Sequence, residues 1–175
     1  MSPPSRMRQL ETLVDMPLYQ FSRLLAEAGS LVVRLCEGRF GITRREWRLL
    51  SYLAAHPGIP PSDLARLAGL DKAQSSRGVT SLMNKHLVAR ISDPTDRRRA
   101  SLQLTERGLA VHDELLPLVR DINRELLAEL SDTEVDTLDR LLNRLQTRAE
   151  ELVTRFDSDL PRTLRHRGRM REPHS

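Results

Sequence analysis

Apolar residues recur every three or four positions along most of the chain and at every second position in only two short runs. Leu18, Phe21, Leu24, Leu25, Ala28, Val32, Leu35 and Cys36 fall on one side of a first helix. Asp15 is placed to accept from the first free N–H groups of that helix. Pro17 suits its first turn, where a missing N–H leaves nothing unpaired. The run should stop near Gly38 or Gly41, since glycine ends helices readily. Residues 1–14 are polar and proline-bearing, which predicts a flexible arm.

Thr43 with Glu46 three residues on forms a capping box for a second helix, whose buried stripe is Trp47, Leu50, Leu53 and Ala54. His56-Pro57-Gly58-Ile59-Pro60 ends it. Ser62 is expected to cap a short third helix, Asp63 to Ala68, before Gly69 turns the chain into Asp71 and a fourth helix. That fourth helix has Val79, Leu82 and Met83 on its apolar side and Gln74, Ser75, Ser76, Arg77 and Thr80 on the side expected to be exposed. Two short helices joined by a glycine turn, the second with a polar face, are what helix-turn-helix DNA binding requires. Leu87 to Ser92 and Ala100 to Leu104 then alternate as strands around Asp93-Pro-Thr-Asp-Arg-Arg-Arg99, which predicts a hairpin with a basic tip.

Beyond Thr105 the period returns to three and four through Val111, Leu115, Val119, Ile122, Leu126 and Leu130. Ser131 and Glu134 form a second capping box, starting a helix that carries Val135, Leu138, Leu141, Leu142, Leu145, Leu152, Val153 and Phe156. A single small winged lobe has too little core to cover three long amphipathic helices. A partner chain is therefore expected, giving an isologous homodimer through the first and last helices; the alternative is a monomer that folds them back on itself. The resulting organisation is an arm over 1–14, a dimerisation helix over 15–41, a winged helix-turn-helix over 42–108, C-terminal dimerisation helices over 109–156 and a basic, disordered tail over 157–175. The fold class is mainly α with a small β-wing. The tail, with Arg162, Arg165, Arg167, Arg169 and Arg171, reads equally well as a non-specific phosphate attractor or as a solvated end.

Composition sharpens this picture in two places. The chain of 175 residues has 28 Lys+Arg against 24 Asp+Glu, a net charge of only +4, but the basic residues gather. Arg66, Lys72, Arg77, Lys85, Arg90, Arg97, Arg98, Arg99 and Arg107 outnumber Asp63, Asp71, Asp93, Asp96 and Glu106 between positions 60 and 110. A positive patch on a helix-turn-helix pattern is an electrostatic footprint for phosphate, and Lys72 and Arg99 join the candidate DNA-binding set on that ground. One cysteine permits no internal disulfide, which agrees with a reducing compartment. No stretch approaches the roughly 18 consecutive apolar residues of a membrane span, so no membrane partner is expected and the chain reads as soluble and cytoplasmic.

Catalytic and metal-binding patterns are missing from the sequence. It has no glycine-rich phosphate loop, no paired cysteines and no His-Glu-x-x-His string. Its histidines, at 56, 86, 112, 166 and 174, are too scattered for a zinc site. No cofactor and no enzymatic activity are expected.

Phe40-Gly-Ile-Thr43 followed by Glu46-Trp47-Arg48, then Leu70-Asp-Lys-Ala-Gln-Ser-Ser-Arg77, then Asp93-Pro-Thr-Asp-Arg-Arg98 with Leu104-Thr-Glu-Arg-Gly108, resemble in order and spacing the MarR family of winged helix-turn-helix transcriptional regulators. The resemblance runs from about Leu18 to Phe156. It implies that Gln74, Ser75, Ser76, Arg77 and Thr80 enter the major groove, and that Arg98 or Arg97 reaches the minor groove with Asp96 orienting an arginine. It also implies that Ser62 meets a phosphate. The chemistry agrees, because arginine bridges guanine O6 and N7, glutamine pairs with adenine, and narrow minor grooves attract a guanidinium. Two positions depart from the pattern. His86 stands where the family has a glycine after the recognition helix, and Thr80-Ser81 replaces an acidic-basic pair.

The resemblance further implies a small aromatic or anionic ligand in a cleft beside the DNA-binding lobe, with Tyr19, Arg23, Trp47 and His112 as its candidate lining. Trp47 and Tyr19 at helical spacing are also ordinary core residues. The function expected is a dimeric repressor of a pseudo-palindromic operator, half-sites about one helical turn apart, released by that ligand. The alternatives are a constitutive DNA binder without a ligand and a helical protein-interaction scaffold. Cys36, late in the first helix and on its apolar side, reads as a buried, inert thiol rather than a redox sensor.

Overall fold

The computed structural model describes residues 5–92, 100–156 and 159–161. It divides into two compact units, Met1–Leu126 and Leu127–Ser175. The first holds α1 (Pro17–Phe40), α2 (Arg44–Ala55), α3 (Pro61–Leu67), α4 (Lys72–Asn84), β1 (Val88–Ser92), β2 (Ala100–Leu104) and α5 (Glu106–Leu127, which ends at the boundary). The second is built on α6 (Asp132–Phe156). The expected wing tip, with Asp96, Arg97, Arg98 and Arg99, and the arginine-bearing tail lie outside the described residues.

Within the expected arm, Arg6–Arg8 and Leu13–Asp15 form short 3-10 turns, and one expectation at the N-terminus is corrected. Asp15 does not cap α1: its carboxylate accepts from the Thr12 N–H at 2.8 Å and the Thr12 hydroxyl at 2.5 Å. Those hydrogen bonds hold its carboxyl below the usual range. The local pairing wins because Thr12 and Asp15 form a capping box of their own one turn earlier. Met16 then precedes α1 with Pro17 at its first position, and Gly41, at φ +62°, ends the helix. Gly38 lies inside it.

The capping box at α2 forms as expected: Glu46 N–H donates to Thr43 Oγ1 at 3.1 Å and Thr43 N–H to Glu46 Oε2 at 2.6 Å. Ser62 does not cap α3. Pro60 occupies that position and Pro61 opens the helix, so Ser62 is the second helical residue, exposed. A proline at the first position is already preorganised for the helix, which moves its start two residues upstream. Asp71 caps α4 by accepting from the Gln74 N–H at 2.7 Å.

The hairpin pairs antiparallel, with Val88 opposite Leu104 and Arg90 opposite Leu102. Ile59, expected only to end α2, adds a bridge: Gly58 N–H donates to Leu102 C=O and Leu102 N–H to Ile59 C=O, both at 3.0 Å. The core beneath gathers Leu49, Leu50 and Leu53 of α2, Leu64 of α3, Val79 and Leu82 of α4, Leu102, Leu115 and Cys36. α2 is its hub. Gly78 makes this possible, since a Cβ there would sit 2.5 Å from Leu49 Cδ1.

The apolar stripe of α1 is split. Its C-terminal part reaches the core at Cys36, whereas Leu18 is 82% exposed and Leu24 and Leu25 are about half exposed. On α6 no residue is buried, and Leu141, Leu142, Leu145 and Val153 all stay exposed.

Candidate nucleic-acid interface and adjoining cleft

α4 ends in a tight reversal that sets its axis. Leu87 N–H donates to Leu82 C=O and His86 N–H to Met83 C=O, both at 2.9 Å, and His86 takes φ +57°. This is the glycine-type conformation expected at that position, held by a residue with a Cβ. His86 C=O in turn accepts from the Thr105 hydroxyl at 2.7 Å, and Leu87 C=O from the Thr105 N–H at 3.1 Å. The exit of α4 and the entry of α5 are thereby joined.

A buried ion pair fixes the same end of α4 to α2. Lys85 Nζ donates to both carboxylate oxygens of Glu46, at 2.9 and 2.8 Å, and to Gly41 C=O at 2.8 Å. Burial by itself would raise the Glu46 carboxyl. The hydrogen bonds from Lys85, Ser81 and Thr43 outweigh it and hold Glu46 below the ordinary glutamate range.

Along α4, Lys72, Ser76, Arg77 and Thr80 are exposed and Gln74 is partly buried. Ser75 corrects the expectation: it is 3% exposed, turned into the core with Gly78 and Val79 rather than out with Ser76. Consecutive polar residues cannot all share one face at about 100° per residue, and Ser75 lies one turn before Val79. Beside α4 the chain forms a hollow of about 420 Å³. Ser62, Lys72, Ser75, Ser76, Thr80 and Arg90 line it together with Val79, Met83 and Leu102, and among the described residues no carboxylate does so. Arg90, counted in the basic patch but not among the candidate DNA-binding residues, joins Lys72 in this lining through the pairing of β1 with β2.

On its other side α2 borders a cleft of about 530 Å³, between α1 and α5. Leu24, Leu25, Ala28 and Val32 of α1 and Val119, Ile122 and Leu126 of α5 supply apolar walls. Arg44, Trp47, Arg48, Ser51, Tyr52 and His56 of α2, with Asn123, supply polar and aromatic groups. The volume falls in the range of small-molecule sites, about 300–1,000 Å³. Of the four candidate lining residues only Trp47 borders this cleft. His112 stacks on Trp47 at 5.5 Å between ring centroids and 25° between planes, and Asp113 Oδ1 lies 3.0 Å from its Nδ1. Tyr19 is half-buried near the start of α1, and exposed Arg23 pairs with Glu27 at 3.4 Å. The polar lining therefore comes from α2 rather than from α1, since α2 turns its charged face toward the gap that α1 and α5 leave open.

Three features describe the chemistry of this cleft. Arg44 enters no hydrogen bond or ion pair among the described residues, and its Nη1 lies 3.1 Å from where a Cβ on Gly29 would be. Arg48 Nη1 donates to Ala68 C=O at 3.1 Å. Ser51 Oγ is buried without a partner. Cys36 is buried in the core, and burial raises its thiol above the ordinary cysteine value against the positive field of Arg44. No cluster of His, Cys, Asp and Glu suited to a metal occurs among the described residues, and no helix there is long and apolar enough to cross a membrane.

A two-helix motif with an exposed basic recognition face, backed by a two-stranded wing, defines a winged helix-turn-helix protein. Comparison with known proteins gives the family. Residues 40–99 match the MarR family model. The chain is 33% identical over 125 residues to a protein of Thauera aromatica named as a transcriptional regulatory protein for the hcr operon, covering 71% of this chain and 70% of that one. It is 30% identical over 105 residues to the multiple antibiotic resistance protein MarR of Escherichia coli K12, covering 59% of this chain and 73% of that one. Among solved structures, the PcaV transcriptional regulator of Streptomyces coelicolor, in complex with its natural ligand, superposes with a TM-score of 0.68 at 26% identity, covering 85% of this chain and 99% of that one. This chain belongs to the MarR family of DNA-binding transcriptional regulators, which are not enzymes.

Proposed function

We propose that the protein is a dimeric repressor that works in the cytoplasm, binds a pseudo-palindromic duplex through α4 and the wing, and is released when a small aromatic anion enters the cleft beside α2. The observation that carries the DNA-binding part is the gathering of Lys72, Ser76, Thr80 and Arg90 around one hollow that no carboxylate among the described residues lines, with Arg77 exposed on the same helix. Arg77 is the base reader in this reading. Ser62, Lys72 and Arg90 hold phosphates, and Gln74, Ser76 and Thr80 adapt to neighbouring edges. Ser75 is buried but borders the same hollow. Asp96, Arg97 and Arg98 keep the wing role that the family resemblance implies, and Arg99 keeps the phosphate role read from charge.

The ligand part rests on Arg44, which has no anionic partner among the described residues and lies with Trp47 and Tyr52 in a cleft that no described carboxylate lines. The structure of PcaV with its natural ligand supports a ligand-responsive reading. Dimerisation rests on the exposed leucines of α1 and α6, an apolar surface that water disfavours and a second copy would cover.

The test has three arms on the full chain. Duplexes selected from a random library should converge on an inverted repeat with half-sites about one turn apart. Sedimentation should give a dimer, and benzoate should lower the affinity for the selected duplex. Selection without convergence, or a monomer at micromolar concentration, overturns the reading.

A further inference from the structure

We propose that Arg48 is the positioning residue through which an anion in the cleft acts on the recognition helix, by leaving the carbonyl that it holds at the turn of the helix-turn-helix. The inference rests on the cleft reading above.

Arg48 has two commitments that meet nowhere else among the described residues. It lines the cleft with Arg44, one turn earlier on the same face of α2. Its Nη1 also donates to Ala68 C=O at 3.1 Å. Ala68 is the residue that ends α3, and it is 3% exposed. The neighbouring carbonyls at that helix end have backbone partners: Ala65 C=O accepts from Leu70 N–H, and Arg66 C=O from Gly69 N–H. Arg48 thus serves as the C-terminal cap of α3 that backbone geometry does not supply, and its positive charge suits a helix C-terminus. Three residues on, Asp71 caps α4. The orientation of the recognition helix is set across this short turn.

An anion drawn to Arg44 would lie within one helical turn of Arg48. A guanidinium and a carboxylate attract as full opposite charges and can pair through two parallel hydrogen bonds, where the neutral Ala68 carbonyl offers one, so Arg48 turns toward the anion. Ala68 C=O then loses its partner, and the turn is free to re-set the entry of α4. The occupied cleft and the DNA-bound arrangement compete for one side chain. A ligand shifts an equilibrium only by its differential contacts in the two states, and this exchange supplies such a difference.

The test uses the full chain, benzoate as the probe and the duplex selected by the parent protein. Trp47 is the single tryptophan and borders the cleft, so quenching of its fluorescence reads occupancy, while anisotropy of labelled duplex reads DNA affinity. In the parent, saturating benzoate is expected to weaken DNA binding about tenfold. Arg48→Gln lacks the bond to Ala68 C=O in both conditions, so its benzoate-free DNA affinity is expected to fall about tenfold, to that of the benzoate-saturated parent, while quenching persists through Arg44 at higher benzoate. Its ratio of DNA affinities without and with benzoate should fall below about two. A merely structural Arg48 would lower DNA affinity equally in both conditions and leave that ratio unchanged, which overturns the inference. Should Arg48→Gln lose DNA affinity outright, Arg48→Lys keeps a cation at the helix end without the guanidinium fork. It is expected to restore binding with release still blunted, and parental release in that variant overturns the inference. A parent that neither quenches nor releases sinks the cleft reading and this inference with it. A parent that does both while Arg48→Gln releases equally sinks the inference alone.

Discussion

Lys85, at the C-terminal end of the recognition helix, holds the carboxylate of Glu46 with Nζ 2.8 Å from Oε2, and the Glu46 side chain is 4% exposed. The pair spans 39 positions of sequence and ties α4 to the first turn of α2. Removing the lysine leaves a buried carboxylate with only part of its donors. Lys85→Met is expected to cost ~2 kcal/mol, less than for a fully enclosed pair because the lysine is a third exposed. Urea denaturation at neutral pH measures it, and a loss near zero would show that Thr43 and Ser81 suffice.

The same carboxyl predicts a pH dependence. The folded value of Glu46 is depressed below the ordinary 4.5, so the unfolded chain binds the proton first as pH falls. The stability contributed by Glu46 is present above about 4.5 and is lost as pH drops through its lower folded value. Glu46→Gln should flatten the part of the stability–pH curve that lies below 4.5. Curves for parent and variant that stay parallel from neutral pH down to 3 would contradict the assignment.

Gly78 predicts a close-approach effect. Gly78→Ala gains helix propensity of roughly 1 kcal/mol but drives a methyl against Leu49, which is fully buried and has no room to turn away. The expected net loss is about 1 kcal/mol, with weaker DNA binding because α4 is pushed outward. Leu49→Val beside it should recover part of the DNA affinity. Thermal melting and anisotropy together separate the two effects.

His86, at φ +57°, carries strain that the chain does not need for its core, since the side chain is exposed. His86→Gly is expected to stabilise by about 0.5–1 kcal/mol, the relief of a left-handed residue less the added freedom of the unfolded chain. A rise in the urea midpoint at unchanged slope is the expected reading. A fall would mean that the imidazole makes a contact beyond its backbone role.

Arg77 and Arg90 separate the two kinds of DNA contact. Arg77→Ala should relax base preference by about 1–3 kcal/mol at one position of the selected site. Arg90→Ala should weaken all duplexes alike and reduce the salt slope by about 1. If the two variants behave identically across sequences, the division between base reader and phosphate anchor is wrong.

Much of the scaffold was legible in residue order because its signals are local. The capping box at Thr43 and Glu46 and the strands around the hairpin each depend on neighbours within a few positions, and each appears where the spacing places it. Local reading failed where two local signals compete. Asp15 had both the start of α1 and Thr12 within reach, and Thr12 took it. Pro60 and Pro61 advanced α3 past Ser62. Ser75 looked like part of a polar face until the helix was given an axis and its neighbour Val79 a core to enter.

The residue pattern alone determined the family, the order of helices and wing, and which residues could carry positive charge to a duplex, since these follow from periodicity and short motifs. Only the tertiary structure decided that Arg90 and Lys72 line one hollow, that Arg44 has no partner among the described residues while Arg48 donates to Ala68, and that α2 serves both the cleft and the recognition helix. Those relations join residues far apart in the chain. They depend on how helices pack, through contacts such as Leu49 against Gly78, and no local repeat records that.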